Sequence, residues 1–221
     1  MIAALEAGLA AVAGDSEVRV VVLAAEGKAF SAGHDLAEMG ADRSLDDFRT
    51  LFADCSRLML AIQRQPQPVI ARVQGIATAA GCQLVAMCDL AVASATARFA
   101  VSGINLGLFC ATPSVPLGRN LSRKHALEML LTGEFIDAAT ARERGLVNRV
   151  VATEALDQEV ARLAGAIAAK SPAAIAAGKR LFYAQLELGI EAAYARAGES
   201  MACNAVADDA RAGIASFTKR T

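Results

Sequence analysis

Tryptophan is absent from this 221-residue chain, aromatic side chains make up only 5% of it, and there are just two histidines. Without large rings the core has to be built from small aliphatic side chains packed closely, which suits helices lying on a sheet. An excess of either charge is missing too. The formal net charge is −1, so no global field draws the chain to nucleic acid or to an anionic membrane, and only a local basic patch for a phosphate remains open. No Cys-x-x-Cys pair occurs. The cysteines, Cys55, Cys82, Cys88, Cys110 and Cys203, are odd in number and irregularly spaced, and with only His34 and His125 beside them no metal site is expected. They are read as reduced core residues of a cytoplasmic-type compartment. No apolar run reaches the ~18 residues of a membrane span, and no basic segment precedes the first apolar residues as a signal peptide would require.

What is present is an alternation of periods. Ile2, Leu5, Leu9 and Val12 recur at helical spacing, and Gly14-Asp15 ends that helix. Val18 to Ala24 reads as a strand buried on both faces, with Arg19 near its exposed start. A turn, "FSAGHDL", follows from Phe30 to Leu36. Ser44 and Asp47 form a capping signal for a helix carrying Phe48, Leu51, Phe52, Cys55, Leu58, Met59 and Ile62 on one face, stopped by Pro66 and Pro68. Val69 to Val73 is a second strand. "IATAAGCQLVAMCD" starts as a loop and becomes a helix ending near Asp89. Leu90 to Ala93 is a third strand and Phe99 to Val101 a short fourth. Gly103 to Gly118, rich in glycine and proline, reads as an irregular loop. Lys124 to Leu131 is helical, Asp137 caps a short helix that Gly145 ends, and Leu146 to Val151 is a last strand. From Thr153 onward the signals are helical, with Ser171-Pro172 a good helix start. Strands alternating with helices predict an α/β fold with largely parallel pairing.

Two segments share one logic: a buried strand, a turn of small residues, then a helix start. They are Ser31-Ala32-Gly33-His34 and Ala77-Thr78-Ala79-Ala80-Gly81. Small residues let a ligand approach the backbone, and the free N–H groups of a helix start point outward. Two such groups converging on one oxygen form an oxyanion hole. Taken singly, either turn also fits the plainer reading of close helix–sheet packing.

The blocks "KAFSAGHDLAEM", "VIARVQGIATAAGCQLVAMCDLAVAS", "ARFAVSGINLGLF", "LTGEFIDAATARERGLVNRVV" and "GIASFTKR" resemble, in order, the enoyl-CoA hydratase/isomerase (crotonase) superfamily. "FSAGHDL" and "AAGCQLVAMCD" resemble one type within it in particular. The resemblance implies a crotonase-like spiral of mainly parallel strands and helices with a helical C-terminal segment. It implies an acyl-CoA thioester as substrate, with coenzyme A entering only as part of that substrate and no separate cofactor, and a homotrimer or dimer of trimers. It places the two oxyanion donors on the backbone N–H of His34 and of Ala80. Ala32, Asp35, Leu36 and Gly81 fall around the substrate, the Ala32 carbonyl toward the adenine. Asp35 is read first as a cap for the turn after it, and the His34 imidazole as incidental to the backbone. Arg123, Lys124 and Lys179 are candidates for the coenzyme A phosphates. Residues 1–152 are expected to hold the α/β core and 153–221 a helical trimerisation segment. The family's two strands before its first helix have no counterpart, since Met1 already lies in that helix, and the ending "FTKRT" is short.

The sequence departs from the family where proton transfer is done. Hydrating a C=C beside a thioester needs a base for water and an acid for Cα, and the hydratases use two glutamates. By motif position these fall on Gln83 and Gly103, neither of which can exchange a proton. No Asp or Glu lies between Gly75 and Cys88, or between Phe99 and Gly118. Three readings follow. One is an acyl-CoA-processing enzyme that holds a thioester oxyanion; the resemblance alone implies hydratase or isomerase activity, and decarboxylation of a malonyl-type thioester is the reaction least troubled by the missing glutamates. Another is a non-catalytic acyl-CoA binder. A serine hydrolase is disfavoured, because no Gly-x-Ser-x-Gly occurs.

Overall fold

In the computed structural model, which describes residues 1–40 and 42–219, the apolar runs sort into two sheets. The first contains β1 (Val21–Ala24), β3 (Val69–Val73), β5 (Leu90–Ser94) and β8 (Arg149–Val151), in the order β1-β3-β5-β8 and parallel throughout. The second contains β2 (Ala29–Ser31), β4 (Ile76–Thr78), β6 (Arg98–Ala100) and β7 (Ile136–Asp137), in the order β2-β4-β6-β7. Only β7 runs antiparallel to its neighbour.

The chain passes between the sheets in a repeat. After α1 (Ile2–Ala13), β1 crosses into β2, and α2 (Leu45–Arg64) brings the chain back to β3. β3 crosses into β4, followed by α3 (Ala80–Met87). β5 crosses into β6, followed by α4 (Ala111–Asn120) and α5 (Arg123–Thr132). Then β7, α6 (Ala138–Glu143) and β8 close the series. This is the mainly parallel α/β spiral expected of a crotonase-like chain. Its turns stack closely: a Cβ on Gly75 would stand 2.0 Å from the Lys28 carbonyl oxygen, so only glycine fits there. Beside it Gln74 Nε2 donates to the carbonyls of Gly27 and Ala29 at 3.2 and 3.0 Å and binds the first crossing to the second.

The predicted face of α2 goes inward: Cys55, Leu58, Met59 and Ile62 are buried, at the i, i+3, i+4, i+7 spacing of one helix face. Its start is the expected capping box, with Ser44 Oγ accepting from the Asp47 N–H at 3.2 Å and the Asp47 carboxylate from the Ser44 N–H at 2.9 Å. α3 is buried along almost its whole length, from Gly81 to Ala86. It packs against β2 and β4 of the second sheet and against α2 and α4.

Several elements differ from the sequence reading. The first strand covers Val21–Ala24 rather than 18–24 and is not buried on both faces. It is the edge of its sheet, with Val21 and Leu23 turned to the core and Val22 exposed. Ile76–Thr78 is a strand, not loop, because it pairs with β2 and β6 on either side. The presumed loop 103–118 contains a 3-10 turn, Ser102–Leu106, and most of α4. Pro113 falls in the first turn of α4, where no N–H is needed. Pro116 lies inside it, and Asn120 Nδ2 donates to the Pro116 and Ala86 carbonyls, both at 2.9 Å. The last strand begins at Arg149, since the Leu146 N–H is used in closing α6 on the Ala141 carbonyl.

Beyond Thr153 the chain is helical, as expected. α7 (Leu156–Ala168) lies on the first sheet, where Leu156 and Val160 pack on Ile70 and Val92. α8 (Pro172–Gln185), α9 (Ile190–Ala205) and α10 (Asp208–Thr218) follow. Ser171 caps α8 by accepting from the Ala174 N–H at 3.2 Å. Arg220 and Thr221, at the end of the "FTKRT" stretch, lie outside the described residues. Among the described residues no single helix is long and apolar enough to cross a membrane.

Candidate functional site

The two small-residue turns meet. Gly33 has φ +94°, and a Cβ there would stand 3.0 Å from Ala79 Cβ, 3.2 Å from Ala80 N and 3.3 Å from Thr78 O. The first turn therefore lies directly against the second, with His34 one residue from the contact. Gly81 makes the approach close on the other side: a Cβ there would be 2.2 Å from the Ser31 carbonyl oxygen. Ala79 carries φ 50° and ψ −121°, the one non-glycine residue with positive φ among the described residues. Such a conformation costs about 1–3 kcal/mol and persists only where the surroundings impose it. Here its N–H donates to the Ala100 carbonyl and its carbonyl accepts from the Gln83 N–H, both at 3.1 Å. The strained residue turns the chain from β4 into α3 and presents the Ala80 N–H at the helix start. Among the described residues neither the His34 N–H nor the Ala80 N–H has an acceptor.

The remaining side chains build one corner around this pair. Ser102 Oγ and Thr78 Oγ1 are hydrogen-bonded at 3.0 Å, which ties the 3-10 turn holding Gly103 to the end of β4. Gly103 is walled in: a Cβ there would be 2.7 Å from the Leu108 carbonyl oxygen and 2.8 Å from Cys110 Sγ. Gln83, only 3% exposed, projects from α3 one turn past Ala80, and its Oε1 faces the Cys55 thiol of α2 at 3.9 Å. The His34 ring is half-buried and stands edge-on to Phe52 of α2, centroids 5.9 Å apart, with Phe48 stacked behind. Burial pushes the His34 pKa below its usual value, so the ring is neutral at pH 7. Asp35 Oδ1 accepts from the Ala37 N–H at 2.8 Å, the capping bond read from the sequence. Ala32 and Leu36 are exposed beside it.

His34, Gly33, Ala80, Gly81, Gln83 and Gly103 are thus gathered at one end of α3. Phe52, Cys55, Thr78 and Ser102 complete the corner and were not singled out as site residues. Phe52 and Cys55 read as part of an apolar helix face, and nothing in their spacing separates site from core. Lys179 does not belong to the corner. Its Nζ, on a side chain only 7% exposed, donates to Asp89 Oδ2 at 2.6 Å, Ile62 O at 3.0 Å and Gln67 O at 3.2 Å. All three donors are used, so it is a buried clamp between α8 and the core and not a phosphate ligand. Tyr183, one turn further on, donates to Asp89 Oδ1 at 2.8 Å. Arg123 and Lys124 are exposed at the start of α5. All five cysteines are free thiols and four are buried, while Cys203 is exposed on α9 and is not a core residue. Burial raises the Cys82 pKa to about 12, which keeps that thiol protonated.

The whole sequence, residues 1–221, matches the enoyl-CoA hydratase/isomerase family. The enoyl-CoA hydratase domain-containing protein 3, mitochondrial, of Rattus norvegicus is 44% identical over 220 residues, covering 100% of this chain and 73% of the relative. The Homo sapiens protein of the same name is 42% identical with the same coverage. Among solved structures, an enoyl-CoA hydratase from Mycobacterium smegmatis superposes with a TM-score of 0.98 at 60% identity, over 100% of this chain and 86% of that one. Human enoyl-CoA hydratase domain-containing protein 3 gives 0.96 at 42%, over 99% and 87%. These relatives correct one expectation. The cytoplasmic compartment inferred from the cysteines does not stand, because the rat and human proteins are mitochondrial by name. Free thiols report a reducing environment, not which one it is. By the family match along its full length, and by the spiral that carries it, the chain belongs to the enoyl-CoA hydratase/isomerase family, with a crotonase fold.

Proposed function

We propose that the chain binds acyl-CoA with its thioester oxygen between the N–H groups of His34 and Ala80. The observation that carries the reading is the contact of the two turns across Gly33, which sets side by side two N–H groups that have no acceptor among the described residues. Such donors stabilise an enolate or a tetrahedral oxyanion without moving, and each contributes about 10²–10³ in rate where chemistry follows. Ala32, Leu36 and Gly81 border the path of the thioester in this reading, and no cofactor beyond the coenzyme A of the substrate is called for.

A second reading rests on the resemblance. By motif position the family's glutamates fall on Gln83, a neutral amide, and Gly103, with no side chain at all. A protein that holds acyl-CoA without converting it fits that pair. So does decarboxylation of a malonyl-type thioester, in which the departing carboxylate leaves its electrons on Cα and no base is needed. We further propose assembly as a trimer or dimer of trimers through the C-terminal helices, the segment 153–221. In its support, Phe182, Ile190, Tyr194, Met201, Ile214 and Phe217 are all more than half exposed on α8–α10. A stable monomer in sedimentation at micromolar concentration contradicts that assembly.

The test of the site is Ala80→Pro. Proline is accepted at the first position of a helix but has no N–H, so the variant removes one donor. Calorimetry with a panel of acyl-CoA and malonyl-type thioesters should show a loss of about 1–3 kcal/mol in binding. An affinity unchanged in a variant that melts like the wild type refutes the hole. Binding of every thioester with turnover of none leaves the binder reading in place of the enzyme.

A further inference from the structure

Among the described residues of this corner, one side chain can take and return a proton near neutral pH. Gln83, Thr78 and Ser102 do not titrate there. Burial holds the Cys55, Cys82 and Cys110 thiols protonated. Asp35, next in the chain, turns its carboxylate to the Ala37 N–H. That leaves the His34 imidazole, read from the sequence as incidental. Burial is what moves its pKa, and neither ring nitrogen has a partner among the described residues. The ring is nevertheless held in place, edge-on to Phe52 with Phe48 stacked behind, while half of it stays open.

The ring and one proposed oxyanion donor belong to the same residue. The side chain leaves Cα one bond from the backbone nitrogen, so the imidazole stands near the carbonyl that its own N–H would hold, and one water molecule spans the remainder. The contact across Gly33 fixes the N–H, and α2 fixes the ring. Ala32 and Leu36 beside them are exposed, so water reaches the place. Reactions differ in how many proton carriers they require. Hydration of a C=C requires two, at separate carbons. Hydrolysis of a thioester requires one, because the proton taken from water is returned to the leaving sulfur, and a thiol is acidic enough to leave readily.

We propose a further activity for this site, hydrolysis of acyl-CoA thioesters with the His34 imidazole as general base. The inference rests on the thioester site proposed above. A ring nitrogen takes a proton from water as the water oxygen bonds to the thioester carbon. The C=O electron pair moves onto the oxygen held by the N–H groups of His34 and Ala80. As that oxyanion collapses, C=O re-forms and the C–S bond breaks with its electron pair on sulfur. The imidazolium then gives the sulfur its proton. The products are a carboxylic acid and coenzyme A, and the ring is neutral again. Neither a double bond nor an α-carboxylate is called for, so the substrate class is plain saturated acyl-CoA.

The experiment incubates the full chain with butyryl-CoA and measures released coenzyme A by chromatography, since the exposed Cys203 thiol would itself react with a disulfide dye. Wild type should exceed the uncatalysed rate by about 10⁴ or more, from two oxyanion donors and one base. His34→Phe keeps a ring against Phe52 but removes the base, and should lower kcat by about 10² or more with KM within about twofold. His34→Asn serves as the second variant should the first not fold. No release by a wild type that binds butyryl-CoA in calorimetry overturns the proposal and leaves the thioester site standing. Release undiminished in the folded variants overturns it as well. Failure of wild type to bind butyryl-CoA overturns the site and this inference together.

Discussion

Replacing Gly33 with alanine tests the site at the contact on which it depends. At φ +94° an L side chain is strained, at a cost of about 1–2 kcal/mol. The added methyl would also sit 3.0 Å from Ala79 Cβ and 3.2 Å from Ala80 N, closer than carbon normally packs, and overpacking adds about 1 kcal/mol or more. The neighbour cannot yield easily. Ala79 is already strained and is tied to Ala100 and Gln83 through its own backbone. The sum, about 2–4 kcal/mol, corresponds to a fall of about 4–16 °C in melting temperature for a chain of this size. Whatever part is relieved is relieved by moving the two turns apart, which separates the His34 and Ala80 N–H groups. Loss of one charge-stabilising hydrogen bond weakens thioester binding about tenfold or more. Thermal melts and calorimetry with one acyl-CoA measure both effects on the same sample. A variant that melts lower but binds like the wild type refutes the hole while leaving the fold intact. One that melts and binds like the wild type refutes the contact itself.

Lys179→Met leaves the largely buried Asp89 without its cation and should destabilise the fold by about 2–4 kcal/mol, read by urea denaturation; a loss under 1 kcal/mol would mean the clamp is ornamental. The folded pKa of His34 lies below its unfolded value of 6.5, so the unfolded chain binds the extra proton. The contribution of His34 to stability is complete above pH 6.5 and is lost as pH falls through the lower folded pKa. Stability measured from pH 7.5 to 4.5 should therefore drop on the acid side less steeply in His34→Asn than in wild type, and parallel curves would show the ring to be inert. Crotonyl-CoA hydration should be slower than that of a two-glutamate hydratase by at least about 10³. Gln83→Glu alone should not restore it, because Gly103 still supplies no second group. Near-family turnover in a steady-state assay, by wild type or by that variant, is the contrary result.

The fold was legible where periodicity ran long enough. α2 announced both its capping box and its buried face, and the strands at Val69 and Leu90 stood out as short apolar runs between breakers. What stayed hidden was the second sheet apart from β6. β2, β4 and β7 are two or three residues long and are strands only because neighbours pair with them, which no local pattern records. α4 was hidden by its prolines, whose positions in the helix decide whether they break it. The contact of the two turns was legible as motif, since Gly33 and Gly81 are dictated by close backbone approach. The strain at Ala79 was not, because alanine gives no sign of a conformation imposed on it from outside. Lys179 misled for a related reason. It read as a free cation for a phosphate, because its acceptors come from residues 62, 67 and 89, far off in sequence.

Backbone and side chain have separate fates at this corner. The proposed hole depends on Gly33, Gly81 and the turn at Ala79, each constrained by contacts that a substitution would violate. Gln83, on which one family glutamate falls by motif position, is under no such backbone constraint: its amide fits beside Cys55 where a carboxylate would be desolvated. Gly103, on which the other falls, is constrained as the two turns are. With the Leu108 carbonyl and Cys110 sulfur in the space of a Cβ, even Gly103→Ala must move the chain at 108–110. On the proposed reading, building a two-glutamate hydratase site here takes more than the two substitutions. The Gln83→Glu, Gly103→Glu double variant should melt lower than Gln83→Glu alone and still fall short of family turnover, because its second carboxylate cannot enter without displacing that wall. A double variant that is as stable as Gln83→Glu and hydrates crotonyl-CoA at full rate would show the wall to be soft, and the substitutions, not the backbone, to be all that separates this chain from a hydratase.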